Sequence, residues 1–80
     1  MTAENIKSVL TADDKTVLVA YADGALRTRT AARNTNFSEH AIHVRLSKVY
    51  RKTLLDPRSF RELAVLIHLI EGGENNDDSR

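Results

Sequence analysis

The 80-residue chain contains no cysteine. A disulfide framework and a thiolate metal site are therefore excluded. It has no glycine-rich phosphate loop and no nucleophile elbow, so the common routes to phosphoryl and acyl transfer are missing. Asp13 and Asp14 are adjacent, which fits a helix start better than an acid/base pair. No enzymatic activity and no cofactor are expected. The longest apolar run, Leu63 to Leu66 and on past His68 to Ile70, falls far short of the ~20 residues that cross a bilayer. No apolar segment follows Met1, so neither a signal peptide nor membrane association is expected, and the cytoplasm is the expected compartment. Eighty residues make one domain with a modest core, and oligomerisation is a common remedy at that size.

What is present is charge, unevenly placed. The formal net charge is only +1. Residues 27–61 hold nine Arg or Lys against Glu39 and Asp56, a net of +7. Residues 1–26 hold two Lys against four acids, a net of −2, and residues 62–80 hold Arg80 against five acids, a net of −4. A basic middle between acidic ends is the footprint of a nucleic-acid face.

Hydrophobic spacing predicts five helices. Ile6, Val9 and Leu10 form a brief apolar patch in a first one, which Thr2 would cap. Thr11 and Asp14 have capping-box spacing before a helix over about 12–22, with Val17, Leu18 and Tyr21 as its buried side. Thr16 to Val19 is β-branched enough for a strand, but no partner strand appears elsewhere, so helix is preferred. Gly24 suits the C′ position after it. A third helix starts near Arg27 or Thr28, and Ala31-Ala32 gives it a small-residue face that another helix can cross closely. The turn Asn34 to Ser38 follows. Asn36 is its expected left-handed residue, Ser38 the next N-cap, and Phe37 with Ile42 has hydrophobic-staple spacing.

The fourth helix, about Glu39 to Lys52, carries Ile42, Leu46, Val49 and Tyr50 as one apolar stripe. His40, His43, Ser47, Lys48, Arg51 and Lys52 lie opposite. A helix held by its apolar side, with small polar and basic groups outward, is what a major-groove reader needs. Asp56-Pro57 is expected to open the last helix. That helix is apolar on more than one side, Phe60, Leu63, Ala64, Ile67 and Ile70 on one stripe with Val65, Leu66 and Leu69 beside it. It is therefore either central to the fold or paired with another copy. Gly72-Gly73 ends it. The expected organisation is one helical domain over 1–73 and a disordered acidic tail over 74–80.

The span from about Val17 to Ile70 resembles the C-terminal DNA-binding domain of the purine-catabolism and carbohydrate-diacid regulators (the PucR/CdaR type). That family has a leucine-rich helix ending in tyrosine, here Leu18 and Tyr21, and then an alanine-containing helix, here with Ala32. It continues with His-x-Asn-Thr-Leu-x-Tyr-Arg-Leu and Thr-Gly-Leu-Asp. This chain has Ser38 to Leu46 and Thr53-Leu54-Leu55-Asp56, with Ile42, Arg45, Leu46, Thr53, Leu55 and Asp56 matching in kind. Ser38 stands for the motif's histidine and His40-Ala41 for Asn-Thr, so the bound sequence need not be the family's. Thr35 stands for an apolar residue. Leu54 stands for the glycine, which implies a different turn there. The resemblance implies a helix-turn-helix. The family's larger sensory region is not in these 80 residues, so ligand sensing is not carried over.

The expected DNA contacts are Thr28, Arg29, Ser38, Glu39, His40, His43, Ser47, Lys48, Arg51 and Lys52. Arg27 and Arg33 would flank the groove. Arg45 is either a phosphate contact or a structural donor to the turn. Glu39 is first a favourable charge at a helix N-terminus and second an acceptor for a cytosine amino group. His40 and His43 would face bases or phosphates, or stay solvated. No carboxylate is placed to complete a metal site with them. His68 fits a core or interface histidine better than a ligand. Leu63, Leu66, Leu69 and Ile70 are the expected dimer contacts. The fold class expected is all-α, a small helix-turn-helix bundle. The function expected is sequence-specific binding of double-stranded DNA by a homodimeric transcription regulator. The alternatives are an adaptor whose last helix binds a protein partner, and a nucleoid or phage-type accessory protein with low sequence preference.

Overall fold

A computed structural model describes residues 3–71 of the chain. Among them are five α-helices and no strand: α1 (Ala3–Val9), α2 (Ala12–Asp23), α3 (Thr28–Arg33), α4 (Glu39–Thr53) and α5 (Phe60–Glu71). The expected cap at Thr2, the stop at Gly72-Gly73 and the tail lie outside the described residues. No described helix is long and apolar enough to cross a membrane.

Helices α2, α4 and α5 start where a side chain can take up a free backbone N–H group, whereas α3, after Arg27, has no side-chain cap. Thr11 Oγ1 accepts from Asp14 N–H at 3.1 Å while Asp14 Oδ2 accepts from Thr11 N–H at 3.0 Å, a complete capping box for α2. Ser38 Oγ accepts from Ala41 N–H at 3.1 Å and caps α4. The start of α5 comes later than the sequence predicts. Asp56 Oδ1 accepts from Arg58 N–H at 3.0 Å, closing an Asx turn through the buried Pro57. Ser59 Oγ, not Asp56, sits at capping distance from the Glu62 N–H, at 3.4 Å, and the Glu62 carboxylate reaches back to the Asp56 N–H.

The turns use left-handed backbone at unexpected places. Gly24 has φ −89°, and the positive φ values fall on Ala25 and Leu26. Gly24 matters for space instead: a Cβ there would lie 3.0 Å from the Thr30 side chain and 3.2 Å from the Ala20 carbonyl oxygen. Asn36 is not left-handed either. Thr35 shapes the α3–α4 turn by donating to the Ala31 carbonyl at 2.9 Å and accepting from Phe37 N–H at 3.2 Å. After α4 it is Leu54 that turns left-handed, φ 62°, with its N–H on the Tyr50 carbonyl. The turn expected to differ for want of a glycine therefore keeps an αL residue.

The core joins all five helices. It contains Ile6 and Leu10, then Val17, Leu18 and Tyr21 of α2, Ala31 of α3, Ile42, Leu46 and Val49 of α4, and Leu63 and Leu66 of α5. Ala31 is wholly buried, as a close crossing requires. Tyr50 departs from the predicted stripe and is 48% exposed; Thr53 is buried in its place, donating to the Val49 carbonyl at 2.8 Å.

Candidate nucleic-acid interface

The polar face of α4 is built from the burial of its other side. With Ile42, Leu46 and Val49 in the core, a 100° advance per residue turns His40, His43, Val44, Lys48 and Arg51 outward, and all five are exposed. Ser47, on the same stripe, is half-buried because Arg58 covers it. The Arg58 guanidinium donates to the His43 carbonyl at 3.2 Å and to Ser47 Oγ at 3.3 Å. The Asx turn after α4 aims it there.

A groove of about 710 Å³ separates this face from α3. Arg27, Thr28, Arg29 and Arg33 form its α3 wall, and Glu39, His43 and Arg58 its other side. Arg29 Nε lies 3.6 Å from a Glu39 carboxylate oxygen, an exposed pair across the mouth worth little in water. Thr28 is half-buried, whereas Arg27, Arg29, Arg33, Ser38, Glu39 and His40 are exposed. The structure thus brings together the expected contacts on α3 with those of the first two turns of α4. Lys48 and Arg51 continue the same surface along α4, lining a shallow depression with His43, Val44 and Ser47. Among the described residues, no group of three His, Cys, Asp or Glu is placed to hold a metal.

Two cations of α4 do not join this surface. Lys52, expected outward, turns toward α1 and α2. Its Nζ donates to Asp14 Oδ2 at 2.7 Å and to the Val9 carbonyl at 3.2 Å. Arg45, one of whose two expected roles was structural, lies 3.3 Å from Asp14 Oδ1 and 3.8 Å from an Asp13 carboxylate oxygen. Its guanidinium carbon also sits 5.9 Å from the centroid of the Phe37 ring, a cation–π distance. Asp14 itself is fully buried. Burial alone would raise its pKa, but the Lys52 ammonium, the Thr11 N–H and the Arg45 guanidinium together outweigh that and hold it below the ordinary carboxylate value. A buried acid at the start of α2 thus draws both cations inward.

The C-terminal helix corrects a second expectation. Leu63 and Leu66 are 2% and 0% exposed within the single chain, so they cannot also meet a second copy. Leu69 and Ile70 are half-buried against the same core. The free side of α5 instead presents Phe60, 76% exposed, with Ala64, Val65 and His68. An apolar hollow of about 580 Å³ lies beside it, lined by Ala22, Ala25, Leu26, Phe60, Ala64, Ile67 and His68 together with the edge of Leu63. His68 is thus a rim residue, not a core one.

Sequence reasoning missed Arg58 as a contact because Pro57 was read as the first residue of the helix. The signal was the overlap of Asp56-Pro57 with Ser59-x-x-Glu62, a better capping pattern three residues on. No protein-family model, curated protein or solved structure matches the chain.

Proposed function

We propose that the chain is a sequence-specific double-stranded DNA-binding protein of the helix-turn-helix kind, acting as a cytoplasmic transcription regulator. The observation that carries this is the single exposed stripe of α4, His40 to Arg51, running beside a groove walled by Arg27, Arg29, Arg33 and Arg58. In this role α4 enters the major groove. His40 and His43 meet base edges, and Lys48, Arg51 and the α3 arginines meet phosphates, while Ser47 is covered by Arg58. The resemblance to the PucR/CdaR type agrees with such a use of the helix pair. Lys52 and Arg45 serve the same end indirectly, by fixing α4 to α2.

The test is selection of bound duplexes from a random pool, followed by binding of the selected duplex to Lys48→Ala/Arg51→Ala. Enrichment of a common sequence, with affinity lost in the variant, supports the proposal. Recovery of no sequence preference, with binding that salt abolishes equally on every duplex, favours a low-specificity accessory protein.

The exposed Phe60 and the hollow beside it favour a second contact, an apolar one. Within the DNA-binding proposal it joins two copies, and the bound site is then roughly palindromic, with half-sites about one helical turn (~34 Å) or a multiple apart. In an adaptor, the same hollow would take a different protein. Solution mass with Phe60→Ser, measured with and without duplex, separates the two.

A further inference from the structure

The outward stripe of α4 is interrupted near its centre. His40 and His43 stand toward its start and Lys48 and Arg51 toward its end, but Ser47 is half-buried beneath Arg58. The side chain shown at this point of the surface therefore comes from the loop after α4, not from the helix. We propose that Arg58 reads a guanine in the major groove, a specificity-determining contact that α4 itself does not supply. The inference rests on the DNA-binding proposal above and names one base of the site.

Arg58 stands between the two sets of cations assigned to phosphate. The groove it lines carries Arg27, Arg29 and Arg33 on its α3 wall, and the shallow depression along α4 carries Lys48 and Arg51. His43 lines both, and the Arg58 guanidinium donates to the His43 carbonyl at 3.2 Å. With the outer cations on the two strands, a group between them faces base edges.

The chain holds Arg58 at its root as well as its tip. Pro57 beside it is fully buried, its own N–H donates to Asp56 Oδ1 at 3.0 Å, and the Asp56 N–H donates in turn to the Glu62 carboxylate. A guanidinium placed in advance loses less freedom on binding than one that must be ordered. Nη2 makes both bonds to α4, and among the described residues Nε and Nη1 have no partner. Nor does Arg58 pair with a described carboxylate, whereas Arg29 meets Glu39 and Arg45 meets Asp13 and Asp14. Releasing the longer bond, 3.3 Å to Ser47 Oγ, frees the Nη1/Nη2 end of the fork while the His43 bond stays. Guanine offers N7 and O6 side by side in the major groove, the acceptor pair that this end matches; adenine puts a donor in place of O6.

The experiment selects bound duplexes from a random pool with the native chain and with Arg58→Ala, whose helicity and Tm are checked first. Arg58 is exposed, so both are expected to hold. Should that variant unfold, Arg58→Gln, whose amide can still donate to the His43 carbonyl, takes its place and is judged by the same outcomes. Expected is one guanine enriched by the native chain and lost from the variant's pool, with the other positions kept. Replacing that G·C pair by A·T should weaken the native chain about five- to 150-fold and the variant hardly at all. If both proteins enrich the same sequence and the variant's slope of log K against log salt is shallower by about 0.9, Arg58 is a phosphate contact and the inference is overturned. The same sequence with the same slope makes Arg58 a tie between loop and helix and overturns it likewise. Preference lost at every position means that Arg58 only places α4, and a native pool without a preferred guanine leaves it nothing to read; either result overturns the inference while DNA binding stands. If the native chain binds no duplex at any salt, the inference and the DNA-binding role fall together.

Discussion

Asp14 is a wholly buried acid that ties α2 to α4. It completes the α2 capping box and receives both Lys52 and Arg45 of α4. Replacing it by Asn removes the buried negative charge that both cations face, leaving Lys52 the Val9 carbonyl and Arg45 the more exposed Asp13. Both retain partial access to water, so the expected loss lies at or below the low end for a broken buried pair, about 2–3 kcal/mol, read as a lower urea midpoint at unchanged slope. The pH dependence follows from the depressed pKa. Near pH 4 the unfolded chain takes up a proton at Asp14 more readily than the folded one, so the contribution is complete above the ordinary carboxylate value. It is lost as pH falls through the lower folded value. Acid unfolding of the native chain should therefore steepen below about pH 4, and Asp14→Asn should remove that part of the slope. Leu54 acts in the opposite direction. It holds φ 62° and is 75% exposed as a residue, so it bears the left-handed strain with little packing in return. Leu54→Gly should stabilise the chain by about 0.5–1 kcal/mol, seen as a rise in Tm of several degrees.

At the scale of the helix, most of what mattered was visible in the sequence. Capping residues Thr11 and Ser38, the buried stripes of α2 and α4, and the close-crossing Ala31 all follow from local rules of spacing and side-chain chemistry. Ala31→Leu should cost about 2 kcal/mol through overpacking, measured as a loss of Tm with helicity retained below it. What was not legible depended on contacts distant in sequence. Nothing near Lys52 announces that an acid 38 positions earlier will draw it inward. Nothing near Leu63 says whether an apolar position faces this chain or another copy. The left-handed residues escaped for a different reason. Glycine and asparagine were present to take that conformation, but hydrogen bonds at Thr35 and the close approach at Gly24 gave them other tasks, and Ala25, Leu26 and Leu54 turn instead. At Lys52 a tertiary contact overrode the local preference, and at Thr35 local turn hydrogen bonds did.

For the whole molecule, burial separates the residues that make the fold from those available to partners. Leu66→Glu should unfold the chain, because that position is wholly enclosed. Phe60→Glu should leave helicity and Tm nearly unchanged, because Phe60 is 76% exposed, and on the proposal that Phe60 joins two copies it should lower the solution mass to that of one chain, as light scattering would read. Among the described residues, the basic groove, the outward stripe of α4 and the hollow beside α5 are separate outer surfaces. Only the first two need cooperate for DNA to be held, and the charge that concentrates there is the +7 of residues 27–61 less the two cations drawn to Asp14.

The most direct test of the central claim is the salt dependence of duplex binding, measured side by side for the native chain and Lys48→Ala/Arg51→Ala. If the outward face of α4 lies against DNA, each lost phosphate contact lowers the slope of log K against log salt by about 0.9, so the variant's slope should be shallower by nearly 2. Equal slopes for the two proteins, or no binding by the native chain even at low salt, would contradict the proposal.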